Sequence, residues 1–303
     1  MNTALMSPSQ LQLRGTLLVA LSGMLYGLIG YLGTELFHEH FSVANMLFWR
    51  FLIATFWMLG SITLLRKKNS ESTQAYSSLV KVILFGAVTY SGGSAFYFMA
   101  STHIGTGVGM VIFFSFPVFV TLFAWLFSGW RINKHTFASL VAVVTGLLLL
   151  KGQGQYQLDI FGLFFAILAA FCYASYVYGS QHSAKTIDSR LLTFLICFAN
   201  TVIFLILSCY THSLSVPVTP VAWCYVLALG IIATAVPIQL LLDGLKYISP
   251  VKASILSVLE PVVTVIIGLA LLHEKMSYTQ SIGVIIVLLG AILIQFERIA
   301  DHT

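Results

Sequence analysis

Shifting the numbering by 144 lays two stretches of this chain over each other without a gap, carrying Gly86, Ile104, Pro117 and Gly146 onto Gly230, Ile248, Pro261 and Gly290. The chain is an internal duplication. Both stretches are apolar at membrane-spanning length, so the repeated unit is a bundle of transmembrane helices and not a soluble domain. Each copy holds five such segments, and an odd number of crossings delivers the chain to the opposite side of the bilayer, so the second copy enters inverted. The expected fold is all-α, ten transmembrane helices in two inverted five-helix repeats, 1–151 and 152–303. Inversion of this kind is characteristic of secondary transporters.

With 58% hydrophobic residues, 8% charged ones and a mean hydropathy of +0.94, the 303 residues exclude an ordinary soluble domain. A helical span takes roughly 20 apolar residues. Spans are expected near 14–34, 43–65, 79–101, 104–128, 135–151, 158–180, 189–211, 219–243, 250–272 and 277–297, leaving no room for an extramembrane domain. A signal peptide is the other reading of Arg14 and the run after it, but Gly15 and Tyr26 recur as Gly162 and Tyr173 at an offset of 147. The first span belongs to the repeat.

Orientation follows from Lys and Arg. With the N-terminus inside, twelve of them fall in cytoplasmic segments, among them Arg66, Lys67, Lys68, Arg131, Lys134 and Lys185, against Lys151 and Lys275 outside. Both termini are therefore expected in the cytoplasm, with the protein in a bacterial inner membrane. The net charge of +5 then reports topology and contact with anionic headgroups, not nucleic-acid binding. Cys172, Cys197, Cys209 and Cys224 lie within or at the ends of spans, show no CxxC or Cys/His metal spacing, and read as packing residues. No cofactor and no metal set is expected.

Among twenty-five charged residues, only Arg50 and Glu260 sit well inside a span, at comparable near-central depths. A charge there costs about 2.5–3.5 kcal/mol on insertion scales, so it has a partner or a task. Two readings follow: a salt bridge stapling two helices, or direct work on substrate or a coupling proton. Ala253, Ser257, Glu260, Thr264 and Gly268 make a small and polar stripe on span nine, which should face the pathway. The matching stripe on span four is Gly109, Phe113, Phe116, Val120 and Ala124, with rings in place of polar groups. Pro117 and Pro261 remove a backbone hydrogen bond at equivalent mid-span positions and are candidate hinges. Tyr26, Tyr90, Tyr97, Tyr173 and Tyr176 lie away from the interface and are expected inside the bundle, where they could box a planar or cationic solute. Asn200 and Gln239 are the remaining mid-span polar groups, suited to bonds between helices.

The run Ser249-Pro250-Val251-Lys252-Ala253 through Leu259-Glu260-Pro261-Val262, followed by Gly268, Glu274, Gly283 and Gly290, resembles the drug/metabolite transporter superfamily, in particular its EamA branch. Arg50-Phe51 with Ala54 resembles that family's arginine-containing second helix. The likeness covers essentially the whole chain, with a departure at Trp130, where the repeat commonly carries a glutamate. It implies a monomer with a central cavity between its inverted halves, working by alternating access on small molecules. Family members move amino acids, nucleosides, quaternary amines and other metabolites, so the likeness fixes the class and not the cargo.

An intramembrane enzyme would need a set such as HExxH or paired aspartates at mid-membrane depth; His273-Glu274 lacks the second histidine. A channel is a third reading, against which the inverted duplication argues for two exchanging states. One buried cation, one buried anion and many rings favour an amino acid or a related zwitterionic or aromatic solute. A cationic amine or quaternary ammonium compound, held by Glu260 and a tyrosine box, is the runner-up.

Overall fold

Within a hydrocarbon layer backbone polar groups have no water to bond, so apolar segments of this length must close their hydrogen bonds internally. The computed structural model describes residues 7–64, 76–104, 106–150, 159–271 and 277–294. Among them every regular element is helical: α1 (Pro8–Tyr26), α2 (Leu28–His38), α3 (Val43–Leu64), α4 (Tyr76–Ile104), α5 (Thr106–Phe113), α6 (Phe116–Ser128), α7 (Lys134–Leu150), α8 (Ile160–Thr186), α9 (Ser189–Tyr210), α10 (Pro220–Gly230), a π turn (Ile231–Ala235), α11 (Val236–Gly244), α12 (Pro250–Leu256), α13 (Leu259–Leu271) and α14 (Tyr278–Leu293). Seven runs of described residues are long and apolar enough to cross a membrane by length and composition, and α7 and α14 are shorter apolar helices.

All ten expected spans fall on these elements, but four of them are broken. Spans one, four, eight and nine are interrupted at Gly27, at Phe114–Ser115, at the π turn and at Ser257–Val258. The breaks in spans four and nine sit just ahead of Pro117 and Pro261, as expected of residues that cannot donate a backbone hydrogen bond. Next to them the chain tightens to three-residue bonds, Ser115 N–H to Ile112 O at 3.0 Å and Glu260 N–H to Ser257 O at 3.0 Å.

Helix ends are closed locally. Capping boxes open α1 (Ser7 with Gln10) and α14 (Ser277 with Gln280). After α2 and α9 the chain turns through left-handed His40 and His212, with Phe41 N–H returning to Leu36 O and Ser213 N–H to Ser208 O.

Burial sorts residues as a lipid solvent demands. On α14, Tyr278, Ile282, Ile285, Leu289 and Ile292 are exposed, whereas Gly283, Val287, Gly290 and Ala291 are buried. Large apolar side chains face outward and small ones let the helices approach. The cysteines depart from expectation: Cys197 is buried, but Cys209 and Cys224 are exposed and do not pack.

The described residues separate into two compact units, one from Met1–Ser91 and Gly179–Tyr247, the other from Gly92–Tyr178 and Ile248–Thr303. Each unit therefore draws on both halves of the chain, and α4 and α8 divide between them. In the first unit α3 packs on α9 and α10, and α1 on α11. In the second, α7 packs on α14 and α6 on α12. Glycines recurring in the duplication sit at these crossings. A Cβ on Gly146 of α7 would lie 2.9 Å from Gly283 O and Val287 N of α14, and one on Gly290 would lie 3.1 Å from Ser139 O. One on Gly230 of α10 would lie 2.6 Å from Ile53 Cβ and 3.0 Å from Arg50 O of α3.

Candidate functional site

In the first unit the site is built around Arg50 on α3. Its side chain is 4% exposed, and its Nε–H donates to Thr234 Oγ1 at 2.6 Å. The guanidinium carbon lies 5.3 Å from the centre of the Phe51 ring, a cation–π contact. No carboxylate among the described residues of this unit forms an ion pair with it. Phe51 in turn stacks on Phe204 of α9 (5.6 Å, 6°) and meets Tyr90 of α4 edge-on at 5.8 Å. Tyr90 OH lies 3.3 Å from Tyr26 OH of α1, so the two tyrosines share a buried hydrogen bond. Tyr90 and Tyr97 share α4 but belong to different units.

Thr234 belongs to the π turn, which sequence reading missed. Its signal was Pro237 in mid-span: lacking an N–H, it disturbs the helical ladder, and one residue earlier Val236 N–H bonds back five residues to Ile231 O. Ser22 of α1 donates to Pro237 O at 2.7 Å, tying this segment to a neighbouring helix. Asn200 is buried, but its Nδ2 donates to Ile196 O of its own helix, correcting the expectation of a bond between helices. Gln239 is half-buried on α11.

The second unit gathers the other rings. Phe113 contacts Tyr97 (5.4 Å), Tyr173 (5.4 Å) and Phe116 (5.8 Å). Phe116 meets Tyr173 edge-on at 4.8 Å, and Tyr173 lies 5.8 Å from Tyr176. These five rings form one cluster spanning α4, α5, α6 and α8. Glu260 lies within electrostatic reach of Tyr97 and is partly exposed. It sits in the first turn of α13, because the break at Ser257–Val258 gives this span a second helix N-terminus whose dipole favours an anion. Ser257 is buried, its hydroxyl bonding back to Ala253 O at 3.0 Å.

Lys252, near the start of α12, is a further buried charge, 4% exposed, beside the two that the sequence singles out. Its position two residues into α12 hid it, since a charge there ordinarily reaches the interface. Glu274, Lys151 and Lys275 lie outside the described residues, as do Arg66, Lys67 and Lys68. Among the described residues no three His, Cys, Asp or Glu side chains come together to hold a metal ion.

These features can be set beside known proteins. The sequence profile of the EamA-like transporter family matches residues 13–151 and again residues 160–296. The chain belongs to the EamA-like transporter family. The family profile thus matches the chain twice, once in each half, and the family is one of membrane transporters. Similar proteins include the uncharacterized transporter YcbK of Bacillus subtilis, 27% identical over 61% of this chain and 62% of that one. The chain thus spans less than two thirds of that relative. Uncharacterized transporter YwfM of the same organism is 25% identical over 78% of this chain and 80% of its own length. A solved crystal structure, 18% identical, superposes with a TM-score of 0.80 over 92% of this chain and 96% of that one, a likeness of fold.

Proposed function

We propose that this EamA-like transporter carries a small zwitterionic or aromatic metabolite of the amino-acid class by alternating access. Arg50 takes the carboxylate, and Glu260 carries a coupling proton. Arg50 supports this reading most: a mid-span guanidinium, 4% exposed, with a single neutral hydrogen bond. Desolvating a cation is expensive, and one hydroxyl with one ring face satisfies only part of a group that carries five N–H donors. A carboxylate would complete it in a two-pronged geometry. The rings Tyr97, Phe113, Phe116, Tyr173 and Tyr176 suit a flat side chain, while Tyr26, Tyr90, Asn200, Gln239 and Ser257 are assigned to polar contacts or to support. The same rings with Glu260 favour the second reading, a cationic amine or quaternary ammonium compound.

A thermal-shift screen of the purified protein against amino acids, amines and nucleosides separates the two. A solute at one hundred times its Kd stabilises by about 2.7 kcal/mol. Stabilisation by amino acids is expected; stabilisation by amines alone would transfer the assignment to the second reading and release Arg50 from it.

Pro117 and Pro261 are proposed as hinges of the cycle. Pro117→Ala and Pro261→Ala should each express at the parent level yet slow transport, because binding survives while the exchange between two arrangements is biased. Transport at the parent rate by both variants would remove the hinge. Both termini are assigned to the cytoplasm of a bacterial inner membrane, and the working unit to the monomer. Cysteines introduced at Glu39, Lys151 or Lys275 should then react with an impermeant thiol reagent in intact cells, and those at Lys67, Arg131 or Lys185 should not. Labelling of the second group would reverse the orientation.

A further inference from the structure

We infer that Thr234 and the π turn around it position Arg50, so that its two Nη nitrogens form the fork that takes the substrate carboxylate. The inference rests on the assignment of the carboxylate to Arg50. A guanidinium offers a carboxylate two edges, one made of Nε and one Nη, the other of the two Nη nitrogens. The Nε–H is already given to Thr234 Oγ1 at 2.6 Å, which closes the first edge. Neither Nη nitrogen has a hydrogen-bond partner among the described residues of this unit, so the second edge is the one left for a ligand.

The threonine can accept from Arg50 because its own proton is committed elsewhere. Thr234 Oγ1 donates to Leu229 O at 2.7 Å, five residues back. In an α-helix a threonine hydroxyl bonds three or four residues back, as Thr55 does to Phe51 O and Thr201 to Cys197 O. The five-residue bond is the side-chain counterpart of the π register. It aims an oxygen lone pair, and not the proton, at the guanidinium. Gly230 brings the two helices close enough for this, since even a Cβ at that position would lie 3.0 Å from Arg50 O. Phe51 holds one face of the guanidinium and is itself locked between Phe204 and Tyr90. The arginine is thus fixed along one edge and on one face, which is how a flexible side chain becomes a pre-organised carboxylate receptor.

The test uses the full-length purified protein and measures stabilisation by each of the twenty L-amino acids and its matched amide, in which the carboxylate is replaced by a neutral group. The parent is expected to be stabilised by at least one acid and far less by its amide. Thr234→Val should melt below the parent when unliganded, because the buried Nε–H is left unpaired, and should bind that acid about tenfold more weakly, with binding of the amide unchanged. Thr234→Ser, which keeps the hydroxyl, should restore the preference for the acid. Should Thr234→Val fail to fold, Thr234→Ala removes the same oxygen with less bulk. Parent-like preference for the acid in the hydroxyl-free variants, or a failure of serine to restore it, overturns the positioning role while leaving Arg50 as the receptor. A parent protein that no amino acid stabilises, or that binds acid and amide alike, overturns the carboxylate assignment and this inference with it.

Discussion

Glu260→Gln is expected to leave the protein folded and to reduce concentrative transport to background. The carboxylate sits in the first turn of α13, where the helix dipole contributes about 0.3–1 kcal/mol to an anion, so its neutralisation costs little stability. Function is another matter, because glutamine cannot carry a proton. If Glu260 and Arg50 only stapled helices, removing either charge would destabilise the fold, and the exchange Arg50→Glu with Glu260→Arg would restore stability and transport together. The expected result is the opposite: melting near the parent for Glu260→Gln, and no rescue by the exchange. Full transport by the exchanged pair would leave a structural salt bridge in place of a functional one.

Gly146→Ala should destabilise the protein by about 1–3 kcal/mol, the usual cost of overpacking, and lower the yield of monodisperse protein. The added methyl meets backbone atoms of α14, Gly283 O and Val287 N at 2.9 Å, and neither can move aside without parting the helices. Gly60→Ala is the matched control, since a Cβ there meets nothing within 4 Å and α3 gains a better helix former. A melting temperature for Gly146→Ala equal to that of Gly60→Ala would show that α7 and α14 do not depend on the close approach.

The duplication, the ten apolar segments and the helix breaks ahead of Pro117 and Pro261 were legible because each depends on local composition or on a residue that cannot donate. The Arg50–Thr234 bond was not, since it joins positions 184 residues apart and needs a π register that the pattern of apolar residues does not encode. Offset by 144, Thr234 corresponds to Tyr90, and both reach the Arg50–Phe51 pair, yet one offers a hydroxyl and the other a ring edge. Helical spacing likewise showed Phe113 and Phe116 on one stripe, but Tyr97 and Tyr173 join them only through tertiary packing. Lys252 escaped notice because hydropathy treats the first residues of a span as interface.

The central claim is that this EamA-like transporter is a carrier of an amino-acid-like solute. Counterflow in proteoliposomes tests it most directly: vesicles holding the parent protein are loaded with an unlabelled amino acid, diluted into a trace of the labelled one, and followed over time. The account predicts a transient accumulation of label above equilibrium, saturable with solute and absent in Glu260→Gln vesicles. Label that merely equilibrates at a rate linear in concentration would indicate a channel, and counterflow with amines but with no amino acid would contradict the assignment of the carboxylate to Arg50.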